Sequence, residues 1–279
     1  MTAIGAPHST LPLATHWPPG PAIRDLAAHF LSISLADTQR AALMDRVEQK
    51  YLTSLASLGE VLRLLPAHYQ ALEIEGERLQ HYVSVYHDTT DFAMYLAHHN
   101  GRARRCKVRT RQYGQTGQTF LELKLRDVTG RTRKERVAVT GDAGSAVIRQ
   151  TPFVQAHLPR LTPTSLAPTL AVQCDRLTLV GRTHDERLTF DLHLTLSAAR
   201  GACSLDGLVV IELKRAASSS VSPFRAVARH LGLREQGFSK YGVGCALLYP
   251  HLKRNAFKPA LLSLTRLAQV QWQATAGSN

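Results

Sequence analysis

The sequence predicts an α+β fold in which an antiparallel sheet closes into a barrel with a polar, cationic interior and helices packed against its outside. Three observations lead there. At least six segments alternate Lys, Arg and Glu with apolar residues at the two-residue period of a β-strand. Amphipathic helical segments lie between them and must bury apolar stripes of their own. Finally, 34 Lys plus Arg against 21 Asp plus Glu leave a formal charge of +13, an excess that is useful only toward an anionic partner. If the helices cover the apolar strand faces, the charged faces point at one another, the reverse of an ordinary β-core.

At 279 residues, 44% hydrophobic and 20% charged, the chain reads as a soluble globular protein with room for one large or two small domains. Cys106, Cys174, Cys203 and Cys245 form no CxxC pair, which argues against a zinc knuckle or a disulfide framework and for a reduced compartment. The histidines show no HExxH or paired zinc spacing and read mostly as surface residues. No secretory signal or membrane-length apolar run is present, so a cytoplasmic location is expected.

In chain order, residues 1–20 carry Pro7, Pro12, Pro18 and Pro19 and read as disordered. Residues 22–35 read as a short helix on Leu26, Phe30 and Ile33. Met44 to Leu52 is the first strand, with Arg46, Glu48 and Lys50 opposite Val47 and Tyr51. Ser54 to Leu65 follows as a helix on Leu55, Leu58, Leu62 and Leu65, ended by Pro66, and a helical or irregular piece runs on to Leu72. From Gln80 to His87 a strand sets Tyr82, Ser84 and Tyr86 against Val83 and Val85. Asp88 to Asn100 opens with capping residues and reads as a helix stopped by Gly101.

The stretch from Arg104 to Asp127 is a hairpin turning at Gly114 to Gln118. Lys107, Arg109 and Arg111 share a face opposite Val108 and Thr110; Glu122, Lys124 and Arg126 share one opposite Leu121, Leu123 and Leu125. Arg131 to Val139 is a further basic strand with charge on both faces. Gly141 to Leu161 reads as helix in two pieces, broken at Pro152. Leu170 to Val180 places Cys174, Arg176 and Thr178 together. After a polar turn at Gly181 to Asp185, Arg187 to Leu196 places Arg187, Thr189, Asp191 and His193 opposite Leu188, Phe190, Leu192 and Leu194. Leu208 to Lys214 sets Glu212 and Lys214 against Val209, Ile211 and Leu213. Pro223 to Leu231 is an amphipathic helix, and Ser239 to Tyr249 another, capped by Ser239 and weakened by Gly242 and Gly244. From Pro250 the chain reads as irregular, fraying from about Gln273.

Burying unpaired cations costs several kcal/mol each, so such an interior must be wet and must expect an anionic guest. Nucleic acid, acidic membrane and phosphate-rich small molecules all carry suitable charge. Phosphate oxygens suit Arg forks and Lys point charges. The interspersed Glu residues would repel them unless a divalent metal lay between, and hard oxygen ligands imply Mg²⁺ or Mn²⁺. Open nucleic-acid binding fits less well, because acidic residues interleave with the basic ones and no aromatic stacking patch accompanies them.

At this point the residues carry a resemblance. RxExKY in the first strand, YHDTTDFAMYLAHHNGRARRCKVRTRQYG, FLELKLRD followed by RTRKERV, VVIELK and FSKYGVG are together similar to the VTC (vacuolar transporter chaperone) domain, a branch of the CYTH or triphosphate tunnel metalloenzymes, over roughly Asp45 to Pro250. The resemblance implies an eight-stranded antiparallel tunnel for a triphosphate group and a divalent metal, here residues 43–262 between a leader (1–42) and a tail (263–279). In the polymerase branch, similar domains move the γ-phosphate of ATP onto polyphosphate.

Carried over by motif, Lys50, Arg109, Arg111, Lys124, Lys134, Arg176 and Arg187 would contact phosphates as the catalytic cations. Lys107, Lys214, Ser239 and Lys240 would assist substrate binding, and Glu212, with Glu122 and Glu48, would hold Mn²⁺ or Mg²⁺. The same carboxylates also read as salt-bridge partners of neighbouring cations. Cys174 departs from the family, where Tyr is frequent. No SPX-like helical domain or membrane segment accompanies the motifs, so coupled export is not expected. The implied partners are ATP or another triphosphate and polyphosphate or pyrophosphate, with no specific nucleic acid. A metal-dependent triphosphatase and a non-catalytic polyanion-binding module remain as alternatives.

Overall fold

A computed structural model describes residues 21–40, 46–141, 145–199, 201–219 and 221–273. The chain begins with α1 (Pro21–Ala28), β1 (Leu31–Ile33), α2 (Leu35–Arg40), β2 (Arg46–Ser54), α3 (Leu55–Arg63), β3 (Tyr69–Leu72), β4 (Leu79–Thr89) and α4 (Ala93–His99). The basic hairpin β5 (Arg105–Tyr113) and β6 (Thr119–Arg126) comes next, with β7 (Thr132–Val139), α5 (Ala146–Arg149) and α6 (Thr151–His157). Then come β8 (Leu166–Gly181), β9 (Glu186–Ala198), β10 (Gly201–Asp206), β11 (Leu208–Ala216), α7 (Pro223–His230), α8 (Lys240–Leu248), α9 (Lys258–Leu267) and β12 (Gln269–Gln273).

Eight of these strands form the curled wall, in the order β2, β11, β9, β8, β4, β5, β6, β7, with every neighbouring pair antiparallel. The remaining strands lengthen it: β3 prolongs the edge of β8 beyond β4 and takes β1 beside it, while β10 and β12 continue beyond β9. Among the described residues no backbone pairing joins β2 to β7. The expected closure is therefore not made by the backbone: the sheet is curled and open along this edge, and Lys124 of β6 reaches across it to Glu48 of β2 at 3.5 Å.

The predicted alternation sorts the wall into two surfaces. Leu177, Leu188, Phe190, Ile211 and Leu213 face outward and are sealed by Leu58, Val61 and Leu62 of α3, Phe224 of α7 and Ile23 of α1. On the other flank, Val108, Leu121 and Leu123 pack against Val147 and Val154 of α5 and α6. Full burial of each such side chain contributes about 1.5–3 kcal/mol, so the apolar faces fix which way the charged faces point. The concave surface carries the charges, and one end of it is filled by α8, which packs with Tyr86, Leu170, Val172, Cys174 and Val210.

The wall also departs from strict alternation. His193 adopts φ 49° and the pairing of β8 with β9 shifts between Gln173 and Asp175, a β-bulge. The bulge reverses the faces beyond it, so Leu194 joins the cluster around α8 rather than the outer layer of Leu188, Phe190 and Leu192.

Other local expectations are corrected. Residues 22–35 hold helix only to Ala28 before β1; the piece up to Leu72 ends as strand β3, because it pairs with β8; and the stretch after Pro250 contains α9 and β12. Most of the described histidines are at least half-buried, His87 and His98 among them, because α4 and β4 pack into the interior. The expected disorder of residues 1–20, the Met44–Asp45 start of the first strand and the fraying beyond Gln273 lie outside the described residues. No described helix is long and apolar enough to cross a membrane, and all four cysteines are free.

Candidate functional site

The hairpin β5–β6 supplies the densest charge. Its register places Lys107 opposite Lys124 and Arg109 opposite Glu122, and β7 adds Lys134 opposite Lys124. Three lysines in one row across adjacent strands repel one another, an arrangement that opposes folding unless anions share the space. Glu122, 2% exposed, is the local counter-charge. Its Oε2 accepts from Arg109 Nε at 2.8 Å and its Oε1 meets Lys134 Nζ at 2.5 Å. Burial alone would raise its pKa, but Arg109, Lys134 and Arg111 outweigh it and pull the carboxyl down to about 2.

A second network joins β2 and β11, where Lys50 lies opposite Glu212 and Glu48 opposite Lys214. Lys50 Nζ sits 2.8 Å from Glu48 and 3.6 Å from Glu212, and Lys214 Nζ is 2.6 Å from Glu212. Burial and the Glu212 charge act to raise the Glu48 pKa, yet Lys50 and Lys124 bring it below its ordinary value. Glu212 is held well below its own against burial, by Lys214, Lys50 and Arg176.

A third network closes the inner end. Asp191 on β9 accepts from Arg176 Nε and Nη2 at 2.5 and 2.9 Å, a bidentate pair, and also from Lys240 Nζ. Two cations expected at phosphates thus share one carboxylate that has no role in the sequence reading. Arg111 donates to Ser84 Oγ at 3.0 Å and stacks over Tyr82, whose ring also receives Arg176. Burial disfavours ionisation of Tyr86, but Arg109, Arg111 and Lys240 hold its hydroxyl below the ordinary value. Cys174, 3% exposed and directly opposite Tyr82, lies at this end, where burial, and then Asp191, raise its thiol pKa.

Helix α8 starts inside the tunnel. Ser239 caps it by accepting from the Gly242 amide at 3.1 Å, and Lys107 Nζ donates to the same hydroxyl at 2.8 Å. Gly242 and Gly244, which weakened the helix on propensity, permit its close approach: a Cβ would lie 2.5 Å from Phe257 at Gly242 and 2.5 Å from Leu170 at Gly244. The buried Asp88 anchors it, accepting from Met94 and Tyr95 amides at 2.9 and 2.8 Å and from the Tyr241 hydroxyl.

The structure therefore gathers Lys50, Lys107, Arg109, Arg111, Lys124, Lys134, Arg176, Lys214, Ser239, Lys240, Glu48, Glu122 and Glu212 around one concave surface. Arg187 lies opposite Lys214, but its Nη2 donates to the Thr38 carbonyl of α2 at 2.9 Å. Asp191, Tyr82, Tyr86 and Ser84 join the site without having been assigned to it. For the tyrosines and Ser84 the shared strand face was the available signal.

The carboxylates differ in their fitness for a metal. All three are paired with cations: Glu48 and Glu212, neighbours that flank Lys50, each hold one lysine closely (2.8 and 2.6 Å) and a second loosely (3.5 and 3.6 Å), whereas Glu122 holds Arg109 and Lys134 closely, at 2.7 and 2.5 Å. No group of three metal-ligating side chains occurs among the described residues. Two carboxylates suit Mg²⁺ or Mn²⁺ that completes its shell with phosphate oxygens and water, not a cage made by the protein alone.

The fold thus builds a curled antiparallel sheet with a concave lining of Arg, Lys and Glu. The chain belongs to the VTC domain family, which matches residues 45–249. No curated protein matches it. Among solved structures it is similar to a candidate adenylate cyclase from Bacillus halodurans, at 14% identity over 70% of this chain and 94% of that one, with a TM-score of 0.48. It is similar also to a candidate adenylyl cyclase from Hippeastrum with a dominant triphosphatase activity, at 15% identity over 73% and 96% of the two chains, with a TM-score of 0.44.

Proposed function

We propose that the protein is a phosphotransferase of the polyphosphate-polymerase type, moving the γ-phosphate of ATP onto a phosphate chain held in the tunnel. The observation that carries the reading is the like-charged row Lys107–Lys124–Lys134 beside the Glu48 and Glu212 pair. The row calls for a polyanion, and the carboxylates, which pair with Lys50, Lys124 and Lys214 in its absence, can face one when a divalent cation lies between.

Each residue then has a task. Arg109, Arg111 and Arg176 grip phosphate oxygens as forks, while Lys124, Lys134 and Lys50 neutralise charge along the chain. Glu212 and Glu48 hold Mg²⁺ or Mn²⁺, which when bound supplies charge neutralisation on the transferring phosphoryl group. Lys240, Ser239 and the first turn of α8 meet the innermost phosphate, where the helix amides and the ammonium favour negative charge. Asp191 holds Arg176 and Lys240 together until a phosphate replaces it. Phosphoryl transfer needs chiefly in-line positioning and charge stabilisation, so no covalent nucleophile is required of the chain.

The seam between β2 and β7 supports a second reading as a metal-dependent triphosphatase, because water entering there would compete with a phosphate acceptor. Incubation of purified protein with ATP and Mn²⁺ or Mg²⁺ separates the two. Long phosphate polymer with stoichiometric ADP supports transfer, orthophosphate without polymer supports hydrolysis, and binding with neither product reduces the protein to a polyanion-binding module.

A further inference from the structure

Lys107 differs from the other lysines of the tunnel. Lys50, Lys124, Lys134, Lys214 and Lys240 each have a carboxylate within 4.0 Å. Lys107 has none among the described residues, and its Nζ donates to the uncharged Ser239 hydroxyl instead. The charges that face it are cations from three strands: Lys124 directly across on β6, Lys50 on β2, and Arg109 and Arg105 along β5. From α4 comes His98, whose ring stacks on Phe257 at 5.5 Å beside Gly242 and whose Nδ1 is buried with no hydrogen-bond partner among the described residues. Lys107 is thus a half-buried ammonium with cations around it and no carboxylate within salt-bridge distance among the described residues.

Such a group can relieve the repulsion by losing its proton, which its neighbours Arg109 and Arg105 cannot do. Anionic oxygens laid beside it reverse the balance, because they reward the charged form. We propose that Lys107 is a proton-linked phosphate subsite, which takes a proton from the buffer as phosphate oxygens settle against it. Entry of the chain and uptake of a proton are then one event. The inference rests on the tunnel reading proposed above and adds to it the residue through which pH acts on binding.

The sign and window follow from the surroundings. Burial, and then Lys124, Lys50, Arg109 and Arg105, push the Lys107 pKa down to about 7. His98 is pushed down to about 3 by burial and by Lys107, Arg105, Lys50 and Lys124, so it is uncharged throughout the neutral range. A ligand that raises the Lys107 pKa takes up close to one proton at pH 8–9 and little below pH 6. Affinity must accordingly fall as pH rises above 7, by up to about tenfold per unit.

The test is calorimetric titration of tripolyphosphate into metal-free protein at pH 6, 8 and 9, in pairs of buffers with different ionisation enthalpies, for the wild type and Lys107→Arg. Arginine keeps the charge but cannot release the proton, and the comparison cancels the protons carried by tripolyphosphate itself. The expected result is about one more proton taken up by the wild type at pH 8–9 and none at pH 6. The ratio of wild-type to variant affinity should fall by up to about tenfold between pH 8 and 9. Equal proton uptake in both proteins, with binding intact, overturns the inference and leaves the tunnel reading standing; no binding by the wild type at any pH overturns both. Should Lys107→Arg fail to fold, the wild type alone decides. If correction for the known ionisation of tripolyphosphate leaves no proton uptake at pH 8–9, the proposal is refuted.

Discussion

Replacing Glu122 by glutamine removes one charge from the most buried carboxylate of the β5–β6–β7 network and changes the shape of the side chain little. The amide still accepts from Arg109, as a protonated Glu122 would, so the variant mimics the acid form at neutral pH. The size of the effect follows from the same contacts. Arg109, Lys134 and Arg111 draw the carboxyl from its ordinary 4.5 to about 2, which at about 1.4 kcal/mol per unit corresponds to about 3 kcal/mol. Because the folded-state pKa is depressed, this stability is fully present above pH 4.5 and lost as pH falls toward 2. Urea unfolding followed by circular dichroism at pH 7 should therefore show Glu122→Gln less stable than the wild type by about 3 kcal/mol, and the gap should shrink toward pH 3. Tripolyphosphate should narrow it too, since its oxygens replace the missing charge. A variant within about 0.5 kcal/mol of the wild type at pH 7 would refute the view that this carboxylate holds the cationic row together.

Three further outcomes follow. Glu212→Gln should keep the fold while losing at least about 100-fold of metal-dependent turnover of ATP, as expected for a lost metal ligand; full activity would sink the assignment. Asp191→Asn leaves Arg176 and Lys240 without their shared counter-charge. It should lower the thermal midpoint measured without anion and increase the shift that tripolyphosphate produces, whereas equal shifts in both proteins would show that Asp191 does not compete with phosphate. Lys107→Met should stabilise the anion-free protein by about 1–3 kcal/mol at pH 7 while weakening tripolyphosphate binding. The gain should disappear as pH rises through 7 toward 10, because the unfolded chain keeps the lysine proton that the folded one gives up; destabilisation at pH 7 would contradict it.

The wall of the tunnel was legible because its two periods reinforce each other. Lys107 to Arg111 and Glu122 to Arg126 alternate with apolar residues without a break, and Gly114 and Gly117 mark the turn, so face and register follow from sequence alone. The bulge at His193 was not legible: LTFDLHLTL continues a perfect alternation, and the reversal arises only because one extra residue is accommodated opposite Cys174. Helix α8 is weakly marked in the sequence because propensity penalises Gly242 and Gly244, whereas packing against Phe257 and Leu170 requires them. Helix α9 was missed although Pro259 in its first turn was an available start signal. Asp191 escaped notice for a different reason. Its strand face was known, but its pairing with Arg176 and Lys240 joins β9 to β8 and to a helix 49 residues later, which no local pattern encodes.

The central claim is that a phosphate chain lies on the concave face against β5 and β6. Titration of tripolyphosphate into the wild type and an Arg109→Ala, Lys124→Ala double variant tests it most directly. The account expects binding by the wild type and a loss of at least about 100-fold in the folded variant, two charge-assisted contacts at about 1.5–3 kcal/mol each. Undiminished binding by the variant would place the anion elsewhere and contradict the account.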